Sequence, residues 1–354
     1  MKYLPHYYET HILPERVDVQ NVPTSLALPP LFKCHDSQEI SSDSIPGRAQ
    51  KLVFVHIFTT AGSTVRVFFD EYARRCNVGW QVTIRCTGVE PFTVKDDNST
   101  WWHKGNDAPC VQKKGVNRDG SPMQGQTSFN GHHLNKEVDI LGGHMELGAA
   151  DYSWLKHEGL HYIAFFRNAT SKYISAKMYG KNYSLKQHIR AIRDDVHENM
   201  KNGQYYEGYK NYLITPFQRE FLHEQNRTLT LQEKVYLMQK NIVDYKVICG
   251  ITERMPASLE MLHRLIDSDS GARDIFLKAG MPDTNGVSRY EQSIRNRADI
   301  PTSTVVAELA KDPEFFAKLQ KYVSYEQQVT DFALNIHKAQ HASLSNEIEY
   351  SNKK

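Results

Sequence analysis

The segment from Phe58 to Thr64 carries residue types that bind a phosphate through the backbone. It reads Phe-Thr-Thr-Ala-Gly-Ser-Thr and directly follows the apolar run from Leu52 to Ile57. The small residues let a backbone approach a ligand closely, and the hydroxyl residues add hydrogen-bond donors. A strand that turns into a helix here also points N–H groups and the positive end of the helix dipole at one spot. The segment therefore predicts an anion site made by Thr59, Thr60, Ala61, Gly62, Ser63 and Thr64.

A second such point lies where the apolar run from Tyr162 to Phe166 ends at Arg167. A guanidinium at the carboxyl end of a parallel strand can hold a phosphate through two parallel hydrogen bonds. Asn168 suits the N-cap of a following helix, and Ser175 falls in the second turn of that helix. Two phosphate-binding strand ends in one sheet predict a ligand with phosphate at both ends.

His144 is the candidate general base, because it follows the strand exit Leu141-Gly-Gly143 and its ordinary pKa suits proton removal near neutrality. A structural histidine that caps the strand is the alternative. Glu146 either orients His144 or is a solvated carboxylate. His132 and His133 are further candidates for the base, with surface histidines as the alternative. A metal site at these two residues lacks support, because no third ligand occurs at a recognisable spacing.

Alternating strands and helices must position these residues. Nearly continuous apolar runs, typical of buried parallel strands, occur at 52–57, 138–141, 162–166 and 247–251, with a shorter strand at 82–86. Helical patterns cover 63–75, 171–218, 231–242, 257–266 and 303–334. The alternation predicts an α/β fold with a central parallel sheet flanked by helices.

The chain is expected to form one large domain. It has 354 residues, 40% of them hydrophobic, which is enough for a sizeable core. We place this domain at 51–340, after a polar lead-in at 1–50 and before a polar tail at 341–354. Residues 87–136 predict a loop-rich insertion that acts as a substrate-side lid, with disorder as the alternative.

The charge balance argues against a nucleic-acid partner. Lys and Arg number 43 and Asp and Glu 41, so the chain has no overall basic field. A polyanionic glycan would need a local basic patch. The sequence does not indicate an oligomeric state.

With these motifs in place, the chain resembles the sulfotransferases that use 3′-phosphoadenosine 5′-phosphosulfate (PAPS), above all the heparan sulfate and uronyl 2-O-sulfotransferases. In that family a strand followed by P-K-T-G/A-G/S-T-T holds the 5′-phosphosulfate, and Phe58 to Thr64 is similar to it. A second strand ends in R-D-P-x-x-R-x-x-S-x-Y and holds the 3′-phosphate, and Arg167 to Ser175 is similar to that. Ile140 to Gly148 resembles the segment with the base, and Tyr245 to Leu262 a later strand and helix.

The resemblance, which extends from Leu52 to Leu334, implies a P-loop-containing nucleotide-binding fold. It also implies PAPS as co-substrate, no metal, and a carbohydrate hydroxyl, such as one on a glycosaminoglycan, as acceptor. Arg295, in the turn from Ser293 to Arg297, corresponds to a loop that touches the adenosine end. Relatives of this type reside in the Golgi lumen behind a membrane anchor. No apolar run of signal or anchor length is present in this chain.

The Asn-x-Ser/Thr sequons agree with a lumenal location. They begin at Asn98, Asn168, Asn182 and Asn226. Asn168 is expected to stay unmodified, because a glycan there would block the phosphate site beside Arg167.

Thr59 is the main departure from the family, because it stands where the family has a lysine that contacts the departing phosphate. Removing one preorganised donor costs about 10²–10³ in rate. Arg66 and Lys172, which replaces a family arginine, are the candidate substitutes for the missing charge. The alternative function is therefore a catalytically silent relative that binds a nucleotide or a glycan. A nucleotide kinase is disfavoured, because the loop lysine and a Mg²⁺ carboxylate site are not evident.

The five cysteines fit no zinc spacing. Cys249 lies inside an apolar strand and is expected to be a buried thiol. In an oxidising compartment Cys86 can pair with Cys110 across the insertion, or Cys76 can take the place of one of them.

Overall fold

A computed structural model of the protein describes residues 50–60, 62, 64, 65, 68, 69, 80–83, 112–116, 140–143, 146–148, 159–266 and 300–351. Its centre is a six-stranded sheet in the order β3-β2-β4-β1-β5-β6. The strands are β1 (Gln50–Val55), β2 (Trp80–Thr83), β3 (Gln112–Val116), β4 (Ile140–Gly143), β5 (Gly159–Phe166) and β6 (Ile248–Ile251).

The sheet is parallel except at one edge, where β3 runs antiparallel to β2. Helices accompany this sheet, so the α/β class expected from the sequence is confirmed. Strand β3 lies inside the segment expected to be loop-rich. Its sequence, Gln-Lys-Lys-Gly-Val, is polar and contains a glycine, so it forms through pairing with β2 rather than through its own strand propensity.

The inner strands are apolar throughout because helices cover both faces of the sheet. Leu52, Val53 and Val55 of β1 are fully buried. On one face, alternate strand residues join a core with α5 and the last helix, α9. The strand members of this core are Val53, Val55, Leu141, Tyr162, Ala164, Phe166, Cys249 and Ile251. On the other face, the ring of Phe54 contacts those of Phe69 and Phe165.

The helices are α1 (Ala169–Met178), α2 (Leu185–Lys201), α3 (Lys210–Leu213), α4 (Pro216–Glu224), α5 (Leu231–Asp244), α6 (Met255–Ile266), α7 (Thr302–Leu309), α8 (Pro313–Tyr322) and α9 (Ser324–Ser351). A 3₁₀ turn, Thr252–Arg254, joins β6 to α6. Five residues of the helical segment after β1 are also described: Gly62, Thr64, Val65, Phe68 and Phe69.

Local sequence signals explain where several helices begin and end. Capping boxes start α2, α4 and α5, with Ser184, Thr215 and Thr230 at their N-caps. The helical stretch predicted at 171–218 is divided into four helices, with Gly180 and Gly203 in left-handed conformations between them. The stretch predicted at 303–334 is three helices, and Asp312 caps the second of them.

A second core lies beside the sheet and consists of helices alone. It joins apolar residues of α1, α2, α7 and α8: Tyr173, Ile174, Met178, Ile192, Val196, Val305, Leu309, Phe315, Leu319 and Tyr322. Because α1 follows β5 directly, this helical layer is attached to the sheet at the strand end that carries Arg167.

Helix α9 covers the edge strand β6 with side-chain hydrogen bonds. Gln340 accepts from the N–H of Cys249 at 3.0 Å and donates to the carbonyl of Val247 at 2.9 Å. His337 donates from Nδ1 to the carbonyl of Cys249 at 2.8 Å. These side chains form hydrogen bonds with the backbone groups at the edge of the sheet that a further strand would otherwise pair with.

Residue 340, the expected end of the domain, lies within α9, which runs from Ser324 to Ser351. Gln340 and Leu344 are both buried there. Cys249 is fully buried, as expected, and burial raises the pKa of its thiol. The proposed pairing of Cys86 with Cys110, or of either with Cys76, lies outside the described residues. Among the residues that are described, no helix combines the length and apolar character needed to cross a bilayer.

Candidate nucleotide site at the strand ends

The two predicted phosphate motifs lie side by side at one edge of the sheet. Strands β1 and β5 are parallel neighbours, with Val55 opposite Ala164, so their carboxyl ends point the same way. Beyond those ends, Nη1 of Arg167 donates to the carbonyl oxygen of Thr59 at 3.1 Å. The guanidinium of the second motif thus touches the backbone of the first.

Thr59 adopts an unusual backbone conformation for a β-branched residue. Its φ is +65°, in the left-handed region, where such residues carry a strain of about 1–3 kcal/mol. Its hydroxyl donates to the carbonyl of Phe58 at 2.7 Å and lies 3.3 Å from the carbonyl of Lys172. Thr59 therefore lies in a tight turn that is hydrogen-bonded to α1.

Thr60 uses its hydroxyl inside the turn. It is almost fully buried, and its Oγ1 donates to the carbonyl of Ile57 at 2.8 Å. Thr64 is buried as well, in the helical segment that follows. The hydroxyl of Thr60 therefore stabilises the turn itself, whereas the hydroxyls predicted as ligand donors were those of Ser63 and Thr64.

Gly62 is required by the protein's own packing. A Cβ at this position would overlap the imidazole ring of His56, which is buried and stacks on the ring of Phe54. The backbone N–H of His56 donates to the carbonyl of Gly143 at 2.8 Å. That bond joins the end of β1 to the end of β4. Sequence reasoning missed His56, although a histidine at the exit of an apolar strand is a usable signal.

The backbone of Arg167 is held by hydroxyl groups from two distant helical segments. Its N–H donates to Oη of Tyr209 at 3.0 Å, and the Tyr209 hydroxyl donates back to its carbonyl at 3.0 Å. Thr330, on α9, also donates to that carbonyl at 3.0 Å. Burial lowers the pKa of Arg167, and the nearby carboxylate of Glu253 opposes that shift.

Three backbone N–H groups at the start of α1 are bound by side chains. Asn168 is the N-cap, as predicted, and its Oδ1 accepts from the N–H of Ser171 at 3.1 Å. The N–H of Asn168 donates to Oε1 of Glu253 at 3.0 Å, and that of Ala169 donates to Oε1 of Gln327 at 2.9 Å. Glu253 and Gln327 were not predicted. The first lies in the Thr-Glu-Arg turn that the family resemblance covers, whereas the second has no local signal.

Lys172 does not reach the surface of this site. Its side chain is only 2% exposed, and its ammonium forms an ion pair with Glu326 at 3.1 Å. The ammonium also lies over the rings of Tyr206 and Tyr209, 4.9 Å and 4.1 Å from their centroids. Burial alone would lower the pKa of Lys172, but Glu326 and the two tyrosines raise it above its ordinary value. Lys172 is therefore a structural cation.

Both strand ends belong to one closed ring of contacts. The guanidinium of Arg167 donates to the carbonyl of Thr59, and the hydroxyl of Thr59 contacts the carbonyl of Lys172. The ammonium of Lys172 in turn pairs with the carboxylate of Glu326. Glu326 accepts from the N–H of Tyr209 at 2.6 Å, and the hydroxyl of Tyr209 returns to Arg167. The ring fixes the distance between the two predicted phosphate-binding points.

Ser175 lies on the side of α1 that faces the first loop. Tyr179, one turn further along the same face, contacts the ring of Phe58 at a centroid distance of 4.8 Å. Ser175 is partly exposed. The role of Ser175 in binding a 3′-phosphate stays a prediction.

Glu146 is neither solvated nor isolated. Its carboxylate forms an ion pair with Arg219 of α4, and both side chains are largely buried. Burial lowers the pKa of Arg219 to about 10. The next residue, Leu147, donates its N–H to the carbonyl of Tyr212 at 2.8 Å. Glu146 and Leu147 thus connect the segment after β4 to α4 and α3.

Several predicted residues lie outside the part of the chain that the structure describes. These are Ala61, Ser63, Arg66, His132, His133, His144 and Arg295. For His144 the neighbouring backbone is informative, because Gly143 ends β4 beside the end of β1.

Comparison with known proteins adds no assignment: no protein-family model matches the chain, and no curated protein matches it.

Proposed function

We propose that the protein is a sulfotransferase that moves a sulfuryl group from PAPS to a hydroxyl of a carbohydrate acceptor. The contact between Arg167 and the carbonyl of Thr59 carries this proposal, because it brings both predicted phosphate points to one edge of a parallel sheet. The fold would then be of the P-loop-containing sulfotransferase type. The setting would be the Golgi lumen.

In this proposal the donor lies across the ends of β1 and β5. The backbone of residues 60–64 binds the 5′-phosphosulfate, Arg167 and Ser175 bind the 3′-phosphate, and Arg295 touches the adenosine end. A guanidinium suits the 3′-phosphate, because it is cationic and offers paired donors. No residue of the assignment requires a metal.

The reaction exchanges one sulfur–oxygen bond for another. The acceptor hydroxyl oxygen attacks sulfur, and the bond between sulfur and the 5′-phosphate oxygen breaks. The bond electrons leave with adenosine 3′,5′-bisphosphate. His144 removes the proton of the acceptor hydroxyl.

An aromatic surface next to the first loop supports a carbohydrate as the acceptor. Tyr179 is 45% exposed and Tyr183 41% exposed, and Lys181 lies over the ring of Tyr183 at 5.5 Å. Exposed rings offer apolar faces to the C–H groups of sugars, and a lysine suits their carboxylate or sulfate groups. Tyr179 also contacts Phe58, which precedes Thr59.

A catalytically silent relative is the second candidate, and the environment of Thr59 favours it. Thr59 brings no charge to the departing phosphate, and the ammonium of Lys172 is buried against Glu326. Such a protein would bind the nucleotide or the glycan and transfer nothing.

Two measurements test these functions. The first is calorimetric titration with adenosine 3′,5′-bisphosphate of the wild type, Arg167→Ala and the matched control Arg190→Ala, an exposed arginine of α2. Loss of affinity in Arg167→Ala alone supports the proposed site, and equal affinity in all three proteins removes Arg167 from it.

The second measurement is transfer of radiolabelled sulfate from PAPS to glycosaminoglycans, desulfated glycans and small alcohols. Turnover by the wild type supports the enzyme. Binding without turnover, followed by turnover after Thr59→Lys, favours the silent relative.

A further inference from the structure

Glu253 places a negative charge where the proposed site should bind an anion. Strands β5 and β6 are parallel neighbours, with Phe166 opposite Ile251. Two residues beyond this pair, Glu253 and Asn168 lie level with each other, and Oε1 of Glu253 accepts from the N–H of Asn168 at 3.0 Å. That N–H directly follows Arg167.

The capping of α1 does not by itself require this charge. Asn168 caps the helix with its own side chain, and the neutral amide of Gln327 binds the N–H of Ala169. Glu253 differs from both because it is an anion close enough to affect the ionisation of Arg167. Its side chain is exposed, so it can leave this position without disturbing the core.

We infer that Glu253 competes with the 3′-phosphate for Arg167 and the start of α1, and so weakens binding of the bisphosphate product. The inference rests on the proposed function. In the free protein the carboxylate neutralises the cationic end of the site. When a phosphate binds, Glu253 must move away or face a like charge. When product leaves, the carboxylate returns to its place, which speeds a step that limits many enzymes.

Glu253→Gln tests this inference, because the amide oxygen still accepts from the N–H of Asn168 while the charge is lost. The ligands are adenosine 3′,5′-bisphosphate and adenosine 5′-monophosphate, which lacks the 3′-phosphate. We expect Glu253→Gln to bind the bisphosphate about five-fold more tightly, as befits an exposed charge pair. The dissociation rate in stopped flow should fall by the same factor. Binding of the monophosphate should not change.

Glu308→Gln is the matched control, because it removes one exposed carboxylate on α7 that pairs with Lys311. It should leave both affinities as in the wild type. Glu253→Ala is a second variant that loses the acceptor as well as the charge. It should melt at a lower temperature, because α1 is less well capped, and should still bind the bisphosphate more tightly.

The outcomes separate this inference from the proposed function. If the wild type binds the bisphosphate and Glu253→Gln binds it equally or more weakly, the inference is wrong and the function stands. If Glu253→Gln tightens both nucleotides alike, the effect is general electrostatics and the inference is again wrong. If no variant binds either nucleotide, the proposed function fails and the inference fails with it.

Discussion

The carboxylate of Glu326 lies 3.1 Å from the ammonium of Lys172, and both side chains are almost fully buried. The pair connects α9 to α1, directly behind the turn at Thr59. A buried ion pair of this kind often adds little net stability, but breaking it leaves one uncompensated charge in the core. The pair therefore makes the site depend on the last helix.

Removing one partner should destabilise the protein strongly. We expect Lys172→Met or Glu326→Gln to lower the free energy of unfolding by about 3–5 kcal/mol, and Lys172→Met with Glu326→Leu to lower it by less. Urea denaturation measures this. The exposed pair of Lys311 and Glu308 is the control, and breaking it should change stability by less than about 1 kcal/mol. Equal effects at both pairs would show that burial of the first has no consequence.

Gly62→Ala should force the ring of His56 out of its place. Overpacking of this kind destabilises by about 1–3 kcal/mol. Because the overlap needs both side chains, Gly62→Ala should cost less in a His56→Ala background than in the wild type. Thermal unfolding of the four proteins of this cycle gives the coupling energy. Gly203→Ala, with open space around its Cβ, should show only the backbone strain of a left-handed residue. Additive effects at Gly62 and His56 would contradict the packing described here.

Tyr209→Phe should loosen Arg167 without touching its guanidinium. The hydroxyl of Tyr209 accepts from the N–H of Arg167, so its loss leaves that N–H unpaired at a cost of about 1–3 kcal/mol, while Thr330 still donates to the carbonyl of Arg167. Binding of adenosine 3′,5′-bisphosphate should weaken as well, and both quantities can be measured on the same protein. Tyr205→Phe, on the same connection but outside the ring of contacts, should change neither. An unaltered affinity in Tyr209→Phe would mean that the ring does not position Arg167.

His337 should make the protein less stable in mild acid. Burial lowers the pKa of His337, its bond to the carbonyl of Cys249 opposes this shift, and nearby His341 and Arg254 lower the pKa further. The unfolded chain therefore binds more protons than the folded one just below the ordinary histidine pKa of about 6.5, so stability should fall as the pH falls through that value.

His337→Asn, which keeps a donor near Nδ1, should flatten this pH dependence between about pH 7.5 and 5.5. Urea unfolding across that range provides the measurement. His223→Asn, on the exposed side of α4, is the control. If His337→Asn and the wild type lose stability in parallel on acidification, another group is responsible.

The sheet and its strand ends were predictable because their signals are local. Apolar runs ending at Arg167 and at the loop from Phe58 place both points at the carboxyl ends of strands, and parallel strands align those ends. Chain order did not reveal that β1 and β5 are neighbours. That adjacency, which the structure provides, brings the two predicted phosphate points together.

The groups that hold the site were not predictable, because they come from distant elements. Glu326, Gln327 and Thr330 occupy positions in α9 that look like ordinary polar positions of a helix. Their roles arise only when α9 packs along β5 and β6. Thr59 is a second example of what the sequence did not reveal. Its sequence context suggests a ligand donor, whereas its hydroxyl forms hydrogen bonds within the protein.

Helix α9 forms hydrogen bonds with the outer edge of β6 at Cys249. It also supplies Glu326, Gln327 and Thr330, which hold the backbone around Arg167 and Tyr209. Ribosomes synthesise this helix after every element it completes. A nascent chain thus carries an open β6 edge until α9 emerges, and an unpaired strand edge at that stage of biosynthesis is prone to aggregation.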